Sequence, residues 1–177
     1  MLFKLFIIPF SYFCEKFSNI LILGSGGREH TFCYKLAQSA QQPTLFIAPG
    51  NAGTAQLGTN LSINPTDVEA VTTAMTQHQI DLVVVGPEAP LVAGIHDYIA
   101  AHPTLSHIPV IGPKKEAAQL EGSKAYAKAF MERHNIPTAP YKQFTADTLN
   151  EGLAYLETIP TPYVLKADGL AAGKGVL

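Results

Sequence analysis

Between residues 19 and 113, short aliphatic runs alternate with amphipathic stretches, and the runs close on glycine- and proline-rich segments. Ile20-Leu21-Ile22-Leu23 carries no polar interruption, the pattern of a strand buried on both faces of a parallel sheet. Gly24-Ser25-Gly26-Gly27 makes a turn, and residues 31–38 then place Phe32, Leu36 and Ala37 at helical spacing. Residues 44–48 predict a second strand, ending in the loop 49–54, whose proline and glycines rule out regular structure. Leu61-Ser62-Ile63 predicts a short third strand. Asn64-Pro65-Thr66-Asp67 reads as a helix start, with Val68, Val71 and Met75 on one face to about Gln77. Residues 82–85 are the next buried strand, followed by loop 86–91, a helix from about 92 to 101, a strand over 109–111 and the loop Gly112-Pro113. Strand ends thus deliver the loops GSGGREH, PGNAGT and GPEAPL. In an open parallel sheet with right-handed crossovers these lie along one edge, where ligands bind. The class is α/β.

The pattern changes over 114–122. Residues 123–134 predict a helix with Tyr126, Ala127, Phe130 and Met131 as its buried stripe, stopping before Ile136-Pro137. Residues 141–145 alternate like a strand, 148–157 form a helix with Leu149, Leu153 and Leu156 inward, and 163–166 form a strand running into the glycine loop 167–175. A partner strand is expected to begin at Leu177, so 123–177 reads as the truncated start of a second domain.

Composition narrows the classes. The chain has 177 residues, 47% hydrophobic and 15% charged, enough for one full domain and part of another. A formal charge of -2 leaves no electrostatic footprint for nucleic acid or an anionic membrane, and no stable membrane association is expected. Cys14 and Cys33 cannot make a disulfide framework, which points to a reducing cytoplasmic compartment, and the scattered histidines lack zinc spacing. Residues 1–13 (MLFKLFIIPFSYF) start like a signal peptide, but they are too short to span a bilayer, Pro9 interrupts them, and no small-x-small site follows. A targeting segment, a membrane-surface anchor and an extension from an upstream start codon compete. The extension is favoured, because the folded pattern begins at Asn19. Residues 1–18 are then dispensable and offer the first strand no pairing.

Two loops carry candidate chemistry. The free N–H groups behind the first glycine turn make an anion site, set against a tight turn with no ligand. A dinucleotide fingerprint wants its third glycine at Glu29 and an acid where Ala48-Pro49 stands, which argues against a nicotinamide or flavin oxidoreductase. In the last loop, Gly169, Gly173 and Gly175 admit close backbone approach while Lys166 and Lys174 bring charge. The competing reading is a flexible hairpin with solvated lysines.

ILGSGGREH, APGNAGT, VGPEAPL, IGP, AAQLEGSKAYAK, IPTAPY and KADGLAAGKGV, in this order and spacing, closely resemble the phosphoribosylamine–glycine ligase (glycinamide ribonucleotide synthetase) family of ATP-grasp enzymes. The resemblance runs from about Ile20 to Leu177. It implies a Rossmann-like, pre-ATP-grasp substrate-binding domain over 19–122 and the start of an ATP-grasp domain over 123–177, after the extension 1–18. The implied reaction ligates glycine to 5-phosphoribosylamine at the expense of ATP, with Mg²⁺ or Mn²⁺ held by residues beyond Leu177 and no metal ligands in this chain. By the same resemblance, Lys124 and Lys166 meet ATP phosphates, and Asp168, Gly169, Gly173, Lys174 and Gly175 belong to a loop closing over the triphosphate. Gly26, Gly27, Arg28, Gly50, Asn51, Gly53, Pro87 and Glu88 face the phosphoribosyl substrate, Glu88 suiting ribose hydroxyls or the amine. Against these stand a capping cluster at Arg28-Glu29-His30 and a surface charge at Glu88. The alternatives are another ATP-grasp carboxylate–amine ligase and a non-catalytic module that binds a phosphorylated ligand. The 177 residues alone are expected to be inactive.

Overall fold

The computed structural model describes residues 17–171 and 174–177, so the apolar segment 1–16 and Gly173 lie outside the described residues. Five parallel strands, β1 (Asn19–Gly24), β2 (Thr44–Pro49), β3 (Thr59–Asn60), β4 (Leu82–Val85) and β5 (Val110–Ile111), form one sheet in the order β3-β2-β1-β4-β5. Central β1 pairs Ile22 with Ile47 of β2 on one side and with Val84 of β4 on the other. Its side chains alternate between two apolar clusters. Leu21 and Leu23 join Val71, Met75, Val83, Ile95 and Ile99 on one face, and Ile20 and Ile22 join Cys33, Leu45 and Ile47 on the other. Both faces are covered, as the unbroken aliphatic run predicts. Among the described residues no helix is long and apolar enough to cross a membrane.

The helices are α1 (Gly27–Ala37), α2 (Val68–Gln77), α3 (Glu88–Ala93), α4 (Ile95–Ala101), α5 (Lys115–Gly122), α6 (Lys124–Arg133) and α7 (Leu149–Leu156). Several differ from the sequence pattern. Helix α1 starts four residues before the predicted span and buries Glu29 and Cys33, leaving Phe32 exposed. GPEAPL is largely helical, and the helix predicted over 92–101 is instead two, broken at Gly94, whose φ of 103° excludes continued helix. Within residues 114–122, read only as a change of pattern, Lys115–Gly122 form α5. Strand β3 sits two residues before Leu61. The extension also needs correction at its end: Phe17 packs on the smaller cluster, and the Ser18 carbonyl accepts the Thr44 N–H at 2.7 Å.

Beyond Ser123 the only buried described residue is Gly152. The α6 stripe is half-buried, and Leu149 and Leu153 are 59% and 54% exposed rather than inward. Residues 141–145 form no strand. Instead Phe144 lies against α7 at Gly152 and Tyr155. The strand predicted over 163–166 reduces to one antiparallel bridge, Lys166 with Val176, flanked by Leu165–Leu177 and Ala167–Gly175 backbone bonds. The pairing partner expected to begin at Leu177 is met instead by residues 175–177.

Candidate functional site

Strands β1 and β4 are neighbours, but the connection from β1 leads to β2 and that from β4 to β5, so the sheet changes direction between them. At such a point the carboxyl ends of the strands leave a crevice. Glu29 fills it. This third residue of α1 is 3% exposed, and its Oε2 accepts the Gly26 N–H at 2.6 Å, a bond that lets the helix begin on a glycine cap. Gly24 and Gly86 make room for the carboxylate. A Cβ on Gly24 would sit 2.6 Å from Glu29 Cδ, and one on Gly86 would collide with Oε1. The residue standing where the dinucleotide fingerprint wants glycine thus puts its own carboxylate into the crevice. Arg28 Nε donates to Glu29 Oε1 at 3.3 Å, and its Nη2 lies 3.5 Å from Glu88 Oε1 at the start of α3. The capping alternative describes Glu29; Arg28 spans two loops from a half-exposed position.

In the PGNAGT loop, the Asn51 amide donates to the Ser25 carbonyl at 2.8 Å, while its Oδ1 accepts the N–H groups of Gly53 and Thr54. Asn60 donates to the Asn51 carbonyl, and its Oδ1 accepts from the Thr54 hydroxyl. Gly50 N–H donates to the Gly24 carbonyl, and Gly53 leaves space for the His30 ring. Gly50, Asn51 and Gly53 therefore fasten the first two strand-end loops together. A cavity of about 510 Å³ opens beside them, walled by Gly26, Arg28, Pro87 and, beyond the sequence reading, by Asn64 and Thr66. A Cβ on Gly27 would meet no described atom within 4 Å, so backbone there stays approachable.

A second cavity, about 720 Å³, brings Lys124, Lys166 and Gly169 together with Glu88. Lys128, one turn beyond Lys124, also lines it; the i, i+4 spacing was the available signal. Its Nζ donates to Thr138 Oγ1 and the Ala139 carbonyl, at 2.7 and 2.9 Å. Asp168 turns toward the start of α6, where Oδ1 accepts the Lys124 N–H at 2.7 Å and the Ala125 N–H at 3.3 Å. Burial acts to raise the Asp168 pKa, but bonds from the Gly169, Ala125 and Lys124 N–H groups and the Ser123 hydroxyl outweigh it and hold the carboxyl below its usual value. Lys124 Nζ donates to the Gly169 carbonyl at 2.9 Å. Lys174 is exposed, and Gly175 closes the hairpin onto Ala167 and Ala171. Cys33 sits in the core, where burial pushes its thiol pKa up, away from reactivity.

Residues 18–121 match the family described as phosphoribosylglycinamide synthetase, N domain, and residues 122–177 match its ATP-grasp (A) domain. Phosphoribosylamine--glycine ligase of Pasteurella multocida is 51% identical over 161 residues, 90% of this chain and 36% of that protein. The crystal structure of the same ligase from Thermotoga maritima is 37% identical with a TM-score of 0.65, covering 90% of this chain and 35% of that one. Carboxyaminoimidazole ribonucleotide synthase from Aspergillus clavatus, solved with ATP, shares the fold at a TM-score of 0.68 and 18% identity, over 92% of this chain and 41% of that one. The chain thus spans little more than a third of the length of the curated relatives it matches.

Proposed function

The chain belongs to the phosphoribosylglycinamide synthetase family, and from that premise we propose that it carries the substrate-binding and ATP-phosphate-binding portion of a ligase joining glycine to 5-phosphoribosylamine in de novo purine biosynthesis in the cytoplasm. The observation that carries this reading is the placement of two cavities on either side of the Arg28–Glu88 pair. Arg28 lines the cavity at the sheet's switch point, Glu88 lines the lysine cavity, and 3.5 Å separates them.

In the proposed reaction a glycine carboxylate oxygen attacks the γ-phosphorus of ATP, and the β–γ bridging oxygen leaves with its electron pair as ADP. The amine of phosphoribosylamine then attacks the carbonyl carbon of glycyl phosphate, loses a proton and expels phosphate. A carboxylate is a poor acyl donor until its oxygen joins a phosphate leaving group, and the transfer needs cations against the developing charge. Lys124 and Lys166 supply two. The phosphoribosyl group is assigned to the 510 Å³ cavity, whose wall includes Gly26 and Arg28, with Arg28 and the neighbouring Gly27 N–H on its phosphate, and Glu88, which lines the adjoining lysine cavity, toward ribose or amine. Asn51, Gly50 and Gly53 support that cavity through the loops they tie. Among the described residues no three carboxylate, imidazole or thiol groups converge, so they do not fit Mg²⁺ or Mn²⁺ as a ligand set.

The test is a chimera in which residues 18–177 replace the matching part of the Pasteurella multocida ligase. Coupled ADP release with phosphoribosylamine made in situ is expected to depend on glycine and to fall within about tenfold of the parent, a difference of roughly 1.4 kcal/mol. Turnover only with a different amine would favour another carboxylate–amine ligase. Ligand binding without turnover would favour a non-catalytic module.

A further inference from the structure

We propose that Asp168 is a positioning residue, which docks the start of the glycine loop on α6 and so sets Lys124 beside Lys166, without touching the anion itself. This rests on the reading of the lysine cavity as a phosphate site. The first N–H groups of a helix have no partner within it. At α6 they are taken by a residue 44 positions further along: Asp168 Oδ1 accepts from Lys124 and Ala125. The Ser123 hydroxyl donates to Asp168 Oδ2 at 3.1 Å while accepting the Tyr126 N–H at 3.1 Å. The residue after Asp168 presents its carbonyl to Lys124 Nζ, and the residue two before it is Lys166, bridged to Val176. Segment 166–169 therefore delivers one lysine, caps the helix that carries the other, and holds that lysine's ammonium.

This arrangement changes what the α6 N-terminus can do. A free helix end attracts phosphate, but this one already faces a carboxylate, which would repel a polyphosphate brought to the same N–H groups. The lysine ammonium groups are left to bind the anion. Asp168 then matters through the bonds it accepts and not through its charge. Asparagine caps a helix about as well as aspartate, whereas alanine does not.

Trace acetylation of the 177-residue chain by acetic anhydride, read lysine by lysine by mass spectrometry with exposed Lys35 as reference, tests this. Inorganic tripolyphosphate, without metal, is the anion probe. In the wild-type chain tripolyphosphate is expected to slow acetylation of Lys124 and Lys166 together. In Asp168→Ala the anion-free rate at Lys124 should rise about fivefold, the ratio corresponding to a lost cap, and joint protection should disappear. Asp168→Asn should restore both. Ser123→Ala should give a smaller rise at Lys124. Alkylation of core Cys33 in each variant reports whether the sheet domain remains folded. A wild-type rate at Lys124 in Asp168→Ala, or an Asn variant behaving like the Ala variant, would overturn the proposal. Absence of protection in the wild-type chain overturns the phosphate reading by itself, because the anion-free rates decide the role of Asp168.

Discussion

Glu29 shows how one carboxylate and the glycines around it define a site. Its buried charge is acceptable because it is hydrogen-bonded to the Gly26 N–H and the Arg28 guanidinium. The space it occupies exists only because Gly86 and Gly24 lack side chains. Gly86→Ala is therefore expected to lower stability by about 1–3 kcal/mol through overpacking. Urea denaturation should show a smaller loss when the same change is made in a Glu29→Ala background, since the colliding atom is then gone. Additive losses would mean that the two residues are not coupled. Asp168 offers a titration at the same scale. Its folded-state pKa lies below the ordinary 3.8, so the extra strength that ionisation lends its capping bonds is fully present above that value and is lost as pH falls through the lower folded value, the bonds then resting on a neutral acceptor. The Lys124 and Ala125 amide signals in NMR spectra should hold steady above pH 4 and shift below it. Movement centred near neutral pH would point to another group.

At the scale of elements, the first strand depends on residues just ahead of it. Ser18 N–H donates to Asp81 Oδ2 at 2.8 Å, its carbonyl accepts from Thr44, and Phe17 covers the face of Ile20 and Ile22. A chain starting at Phe17 is expected to be more stable than one starting at Asn19 by about 1–3 kcal/mol, the worth of burying part of an aromatic side chain and keeping two hydrogen bonds. Thermal melts of the two truncations decide this, and equal midpoints would return Phe17 and Ser18 to the dispensable segment. The α3–α4 break matters to the site in the same way. By ending α3 at Gly94, the chain keeps Glu88 at a helix start facing Arg28 while Ile95 and Ile99 turn into the core.

Across the whole molecule, burial divides the chain unevenly. The large apolar cluster ends with Ala118 of α5, and past Ser123 only Gly152 is buried among the described residues. Helix α5 joins the two parts: Gly122 packs so closely on Val92 of α3 that a Cβ there would lie 2.7 Å from Cγ2. Local stability follows buried apolar contact, so amide exchange is expected to be slow in β1, β2 and β4 and at least about a hundredfold faster in α6 and α7. Exchange mass spectrometry on the 177-residue chain measures it directly. Uniform protection throughout would show that the second part is stabilised by more than these contacts.

The parallel sheet and the turns that open at the ends of its first two strands were legible in the sequence because each rests on a local rule, whereas Lys124 and Lys166 were singled out as a pair by the family resemblance. Ile20 to Leu23 can be buried on both faces whatever packs on them, and Asp67 before Val68 caps its helix through the chain's own N–H groups. The true extent of α3 was not legible, because Pro87 and Pro90 suggest a loop while proline is tolerated in a helix's first turn. Strand over 141–145 and 163–166 failed for the opposite reason. Alternation gives a segment two faces, but a strand also needs a neighbour to hydrogen-bond, which sequence alone does not supply. Only the tertiary structure decided that Glu29 fills the crevice, that Asn51 ties two loops together, and that Asp168 caps a helix 44 residues earlier. The last two depend on bringing distant backbone N–H and C=O groups within about 3 Å of a side chain, and the first on Gly86 of another strand end leaving room for the carboxylate, both set by the packing of whole elements rather than by residue spacing.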